Sequence, residues 1–173
     1  MCFSSSTTTQ GKWEHYLGEA QDIYPGVGAE EGTGEQGAFA CEGNAAYRPS
    51  DQSVMNLLWD SAYHNSISLE NAVLSIYDIV DPIDSHTPES TTSVGMLEAR
   101  VIDPQVIKLE WSVDGQVLQG ATGQTLDVAA QGLSSGAHTV QVRAYDDTPW
   151  VPMDSPHDRS ELEQTVAWTI NVP

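Results

Sequence analysis

Apolar residues along this chain change their spacing near the middle, and that change divides it in two. "SLENAVLSIYDIV", residues 68 to 80, places Leu69, Ala72, Val73, Ile76 and Val80 on one face at the 3.6-residue helical period. Ser68 is positioned to cap it, with Asn71 three residues on, and the Asp81–Pro82 step is expected to stop it. Past residue 94 the period becomes two. "MLEARVI" (96–102), "VIKLEWSV" (106–113), "HTVQVRAYD" (138–146) and "TVAWTINV" (165–172) alternate apolar with polar residues, as half-buried strands do. Asp114–Gly115, inside "VDGQVL", is a two-residue hairpin signal of the type I′ kind. "DPIDSHTPESTTS", between the two patterns, has the composition of a linker.

The expected architecture is therefore α+β. An irregular, partly helical first portion (1–84) is followed by a short linker (85–93) and an antiparallel β-sandwich (94–173). The first portion shows little regular pattern: "GKWEHYLGEA" predicts a short helix or turn, and the glycine-rich stretch 25 to 45 has almost no periodicity.

Composition narrows the partners. Among 173 residues, 25 Asp and Glu stand against 6 Lys and Arg, a formal charge of −19. Such a field repels phosphate backbones and anionic lipid, so nucleic acid and membrane are not expected as partners. No apolar run approaches the ~18 residues of a membrane helix. The start "MCFSSSTTTQGKW" lacks the features of a signal peptide, and its abrupt passage into Trp13 and Tyr16 reads as a chain cut from something longer. Cys2 and Cys41 define no disulfide framework.

Candidate chemistry is sparse. His15, His64, His86, His138 and His157 form no H-x-x-x-H or H-E-x-x-H pair and have no cysteine at ligand spacing, so no metal ligand is assigned. No G-x-S-x-G nucleophile turn is present. Asp146, Asp147, Asp154, Asp158, Glu161 and Glu163 crowd the connection before the last strand. That loop is either a solvated acidic segment or an oxygen-rich Ca²⁺ site, although no EF-hand spacing is present. Arg48, before Pro49, is expected to be extended, because the residue preceding proline avoids the helical region. Its guanidinium has two readings: pinning the Glu-rich loop, or pairing with a substrate carboxylate. Met55 is either core filler or the floor of a site.

Two resemblances follow from these residues. Trp111 to Gly115 ("W-x-V-D-G") and Gly136 to Asp146 ("G-x-H-x-V-x-V-x-A-x-D") look like the Ig-like and PKD-like modules that accompany secreted enzymes, with Trp111 as the buried strand tryptophan. Upstream, "KWEHYLG", "VGAEEG", "AAYRPSDQSVMN" and "SLENAVLSIYDIV" occur in an order that resembles the C-terminal third of the catalytic domain of the IgA-peptidase family of zinc metalloendopeptidases, over residues 11 to 82. That resemblance implies a fragment of a secreted or cell-surface hydrolase acting on protein or peptide. Its zinc would be held by an H-E-x-x-H helix that this chain lacks, so no peptide hydrolysis is expected of the chain by itself. Tyr47 and Arg48 would line the cleft, and Met55 would lie under the metal. Asn56 stands where the family has a basic residue. The reading from a different class is a non-catalytic extracellular Ig-like binding or adhesion module, anchored by exposed aromatics such as Trp150 in "TPWVP".

Overall fold

The computed structural model describes the strand pair at 39–40 and 47–48, residues 66–152, residue 155 and residues 159–173. These fall into two compact units, Met1–Ile76 with Pro149–Asp158, and Tyr77–Thr148 with Arg159–Pro173.

In the first unit, β1 (Phe39–Ala40) pairs antiparallel with β2 (Tyr47–Arg48), so that Phe39 faces Arg48 and Ala40 faces Tyr47. Helix α1 spans Ser66–Tyr77 and contributes all but its last residue to this unit. It starts two residues before the expected Ser68 cap, and Asn71 donates backward to the Ile67 carbonyl at 2.8 Å. The face also differs from the periodic reading. Ile67 and Glu70 are buried, whereas Ala72 and Ile76 are exposed. The helix stops at Tyr77, short of Asp81–Pro82. A helix draws most of its stability from packing, and beyond Tyr77 the next apolar residue, Ile79, is 84 % exposed.

The second unit is built from strands. Its three-stranded sheet has the order β3 (Ser85–His86), β4 (Met96–Arg100), β7 (Thr125–Asp127). The four-stranded sheet has the order β6 (Gln116–Val117), β5 (Ile107–Val113), β8 (Gly136–Asp146), β9 (Glu163–Val172). All pairings within the two sheets are antiparallel. The chain changes sheet between β4 and β5, between β6 and β7, and between β7 and β8, so that strands distant in sequence become neighbours.

The period-two pattern accounts for this arrangement. Ile107, Leu109, Trp111 and Val113 of β5 point inward with Val140, Val142 and Ala144 of β8 and Val166, Trp168 and Ile170 of β9. Leu97, Ala99 and Leu126 close the core from the other sheet, joined by Ile83, Val101 and Val128. Trp111 and Trp168 are both almost completely buried and stack at 5.7 Å with 20° between their planes. Offset aromatic pairing of this kind adds to area burial. The indole N–H groups are not left orphaned: Trp111 donates to the Gly123 carbonyl at 2.8 Å and Trp168 to that of Thr87 at 3.0 Å.

The expected linker 85–93 is strand and anchored loop. Ser85 and His86 pair with Arg100 and Ala99. Ser93 forms a parallel bridge with Asn171, whose N–H donates to the Thr92 carbonyl at 2.8 Å. Composition misled here because backbone hydrogen bonding is indifferent to the Ser, Thr and Pro side chains that suggested a linker.

The β5–β6 turn matches its sequence signal. Asp114 and Gly115 have φ of 50° and 78°, and Val113 faces Gln116 across a two-residue loop. A β-carbon added at Gly115 would meet nothing within 4 Å, so replacing this glycine tests backbone preference alone. Gly115→Ala is expected to cost about 1 kcal/mol, read as a lower urea midpoint with unchanged slope.

Candidate functional site

Two polar constellations of the described residues sit where β8 meets its loops. At one end of the four-stranded sheet, the turn residue Asp114 reaches the beginning of β8. Its Oδ1 accepts from the Thr139 N–H at 2.8 Å, and its Oδ2 lies 2.7 Å from His138 Nδ1. The other ring nitrogen, Nε2, lies 2.9 Å from the Ser134 carbonyl oxygen. Register explains the meeting. Val113 pairs with Val140, and the Asp114 N–H donates to the Thr139 carbonyl at 2.8 Å. The hydrogen bond from His138, then that from Thr139, holds the Asp114 carboxyl below its ordinary range. The Asp114 carboxylate and then the Ser134 carbonyl raise the His138 pKa. An Asp–His pair resembles two-thirds of a hydrolase triad, in which a serine hydroxyl meets Nε2. Here a backbone carbonyl occupies that position, and a carbonyl has no proton to give up. The pair positions a turn.

At the opposite end of β8, Asp146 is 8 % exposed. One carboxylate oxygen accepts from the Tyr77 hydroxyl at 2.8 Å and the other from the Thr148 N–H at 2.8 Å. Burial, then the bond to Asp146, pushes the Tyr77 phenol pKa well up. On the outer face of the same sheet, the Arg143 guanidinium lies 4.5 Å from the centre of the Tyr145 ring and donates to Glu163 Oε2 through both Nε and Nη2. In the first unit, fully buried Glu70 accepts from the Ser155 hydroxyl at 2.5 Å.

Of the predicted site residues, Tyr47 and Arg48 lie in strand β2, the extended conformation expected before Pro49. Met55 lies outside the described residues, as do Cys2, Cys41, His15 and His64. The acidic loop divides: Asp146 is committed to Tyr77 and Thr148, and Glu163 to Arg143, while Asp154 and Asp158 are outside the described residues. Among the described residues, no group of three or more His, Cys, Asp or Glu is placed to hold a metal ion. Trp150 is 39 % exposed.

The sheet orders and the alternating core decide the architecture: two antiparallel sheets of three and four strands, closed over one apolar interior with Trp111 at its centre. The second unit is an Ig-like β-sandwich. No protein-family model matches the chain, and no curated protein matches it. Among solved structures the chain is similar to one described as "Structures of Clostridium thermocellum CbhA fibronectin(III)-like modules", with 18 % sequence identity and a TM-score of 0.30, over 54 % of this chain and 95 % of that one. The assignment to the Ig-like class rests on strand order and core.

The Ig-like sandwich leaves apolar side chains exposed in its connections. Ile102, 85 % exposed, and Val106 lie in the β4–β5 loop, and Ile79 and Val80 lie in the segment leading into β3. Loops carried by a sandwich are where binding residues concentrate, although singly exposed apolar residues are ordinary on a protein surface. Sequence reasoning missed these residues because the pattern assigned Ile102 to the strand before it and Val80 to the helix.

Proposed function

We propose that the chain serves as a non-catalytic, Ig-like module of a larger extracellular protein, binding or spacing through the loops of its sandwich. One observation supports this above others. The second unit closes its own core with side chains from β4, β5, β7, β8 and β9, and the His138, Asp146 and Glu163 side chains are engaged with neighbouring backbone or side-chain groups. Groups engaged in this way position loops. The exposed Ile102 and Val106 of the β4–β5 loop are the residues offered for contact.

The metallopeptidase reading is retained as the second one, on the order of the four segments in residues 11 to 82 and on the Tyr47–Arg48 strand. In that reading the zinc helix lies in sequence upstream of Met1, and finding an in-frame H-E-x-x-H there would favour it. Both readings expect no hydrolysis by this chain alone, so the upstream sequence separates them, and the full chain tests the expectation they share. Incubated with Zn²⁺ and an unstructured protein substrate such as casein, it is expected to produce no cleavage that a chelator abolishes, and its thermal midpoint is expected to be the same with and without chelator. Zinc-dependent cleavage by the purified chain would overturn the non-catalytic reading.

A further inference from the structure

Both ring nitrogens of His138 face acceptors. Nδ1 is 2.7 Å from a carboxylate oxygen of Asp114, and Nε2 is 2.9 Å from the Ser134 carbonyl. A neutral imidazole has one N–H and one lone pair, so in either tautomer one of these contacts would set a lone pair against an oxygen. Only the imidazolium donates on both sides. We propose that His138 is held as the doubly donating imidazolium and acts as a protonation-dependent clamp, joining the β5–β6 turn to the segment entering β8.

The clamp ties the β5–β6 turn, 24 positions away in sequence, to β8 and to the loop that enters it. Asp114 belongs to the turn, Ser134 to the loop before β8, and His138 to β8. Asp114 also receives the Thr139 N–H, so its carboxylate bridges consecutive residues of β8. The pairing partner of His138 on β9 is Ile170, which does not titrate. Toward β5, the neighbouring pair is Val113 with Val140. Ser135, beside the loop carbonyl, donates to Val172. Asp114 is thus the charged group that faces the ring.

Loss of the ring proton leaves one acceptor without a donor, and the Ser134 side is the one expected to open, because the carboxylate retains the stronger claim on the remaining N–H. The direction with pH follows from the two shifts. The raised His138 pKa gives a contribution complete below the ordinary histidine range, lost as pH rises through the folded value. The lowered Asp114 pKa gives a contribution present above the ordinary carboxyl range, lost as pH falls through its folded value. The clamp is therefore fully closed between those ranges, in mildly acidic solution.

Proton and ¹³C NMR titration of the full chain tests this with the other four histidines as internal references. His138 Cε1–H is expected to titrate at a higher pH than the average of the others, and the Thr139 amide shift is expected to follow the same midpoint. Asp114→Asn is expected to bring the His138 midpoint down toward the others while β8 amide dispersion persists. A purely structural role for Asp114 would alter stability without moving that midpoint. If His138 in the unmodified chain titrates at or below the other histidines, or the Thr139 amide shows no matching step, the clamp does not exist.

Discussion

Trp168→Ala is expected to cost about 3–5 kcal/mol, the largest effect of any single substitution considered for the sandwich. Several losses coincide at this residue. Its side chain is 1 % exposed, so truncation leaves a cavity between sheets that close-packed neighbours fill only in part. The stack on Trp111 at 5.7 Å disappears with it. The hydrogen bond from its indole to the Thr87 carbonyl is removed as well, which loosens the connection between β3 and β4. A domain of ordinary stability has about 5–15 kcal/mol in hand, so the variant is expected to lie close to its unfolding transition at room temperature. Trp168→Phe separates the contributions. It retains a ring against Trp111 but gives up the N–H donor and part of the volume, and about 1–3 kcal/mol is expected. Urea denaturation followed by far-ultraviolet circular dichroism measures both. A midpoint for Trp168→Ala within error of the unmodified chain would mean that the two tryptophans are not the centre of the core.

The sandwich was legible because its signals are local. Alternation over seven to eleven residues specifies which side of a strand faces inward, and Asp114–Gly115 specifies where one hairpin turns. Trp111 was identified as the buried strand tryptophan, and the same alternation puts Trp168 on the inward face of β9. What alternation lacks is order across the sheet, so the stacking of Trp111 on Trp168 emerges only once β8 lies between their strands. The failures have the opposite character. Residues 85–93 read as linker because composition reports side chains, whereas Thr87 and Thr92 take part through their carbonyls. The helix was found, but its face was chosen by hydrophobicity, and that rule passes over a glutamate. Glu70 is buried because Ser155, 85 positions away, donates to it.

The same distinction governs the polar constellations. Asp114 was readable as a turn residue and His138 as a polar residue opening a strand, yet 24 positions separate them and no spacing rule links the two. Register supplies the link, since pairing Val113 with Val140 carries the turn to the entry of β8. Tyr77 and Asp146 are 69 positions apart and were read separately, one as part of a helix and the other as part of an acidic loop. The acidic composition hid a division among the carboxylates: among the described residues most lie at the surface, whereas Glu70 and Asp146 are buried acceptors.

Asp146→Ala is the second large effect, expected at about 2–3 kcal/mol. The carboxylate accepts from two donors, the Tyr77 hydroxyl and the Thr148 N–H, and its removal leaves both without the acceptor that satisfies them. Leaving a buried donor unsatisfied costs more than the net value of the hydrogen bond it made, so Tyr77→Phe, which removes a donor instead of the acceptor, is expected to cost less, about 1 kcal/mol. The double variant Tyr77→Phe/Asp146→Ala is then expected to fall short of the sum of the single losses by about 0.5–1 kcal/mol, because the phenylalanine no longer presents an orphaned hydroxyl. Alkaline solution gives an independent check. The raised phenol pKa of Tyr77 means that its contribution is complete below the ordinary tyrosine range and is lost as pH rises beyond it, since the unfolded chain releases that proton first. The unmodified chain is therefore expected to lose stability more steeply than Tyr77→Phe above about pH 10, the ordinary tyrosine value. Parallel curves for the two proteins in that range would show that the phenol is not held by Asp146.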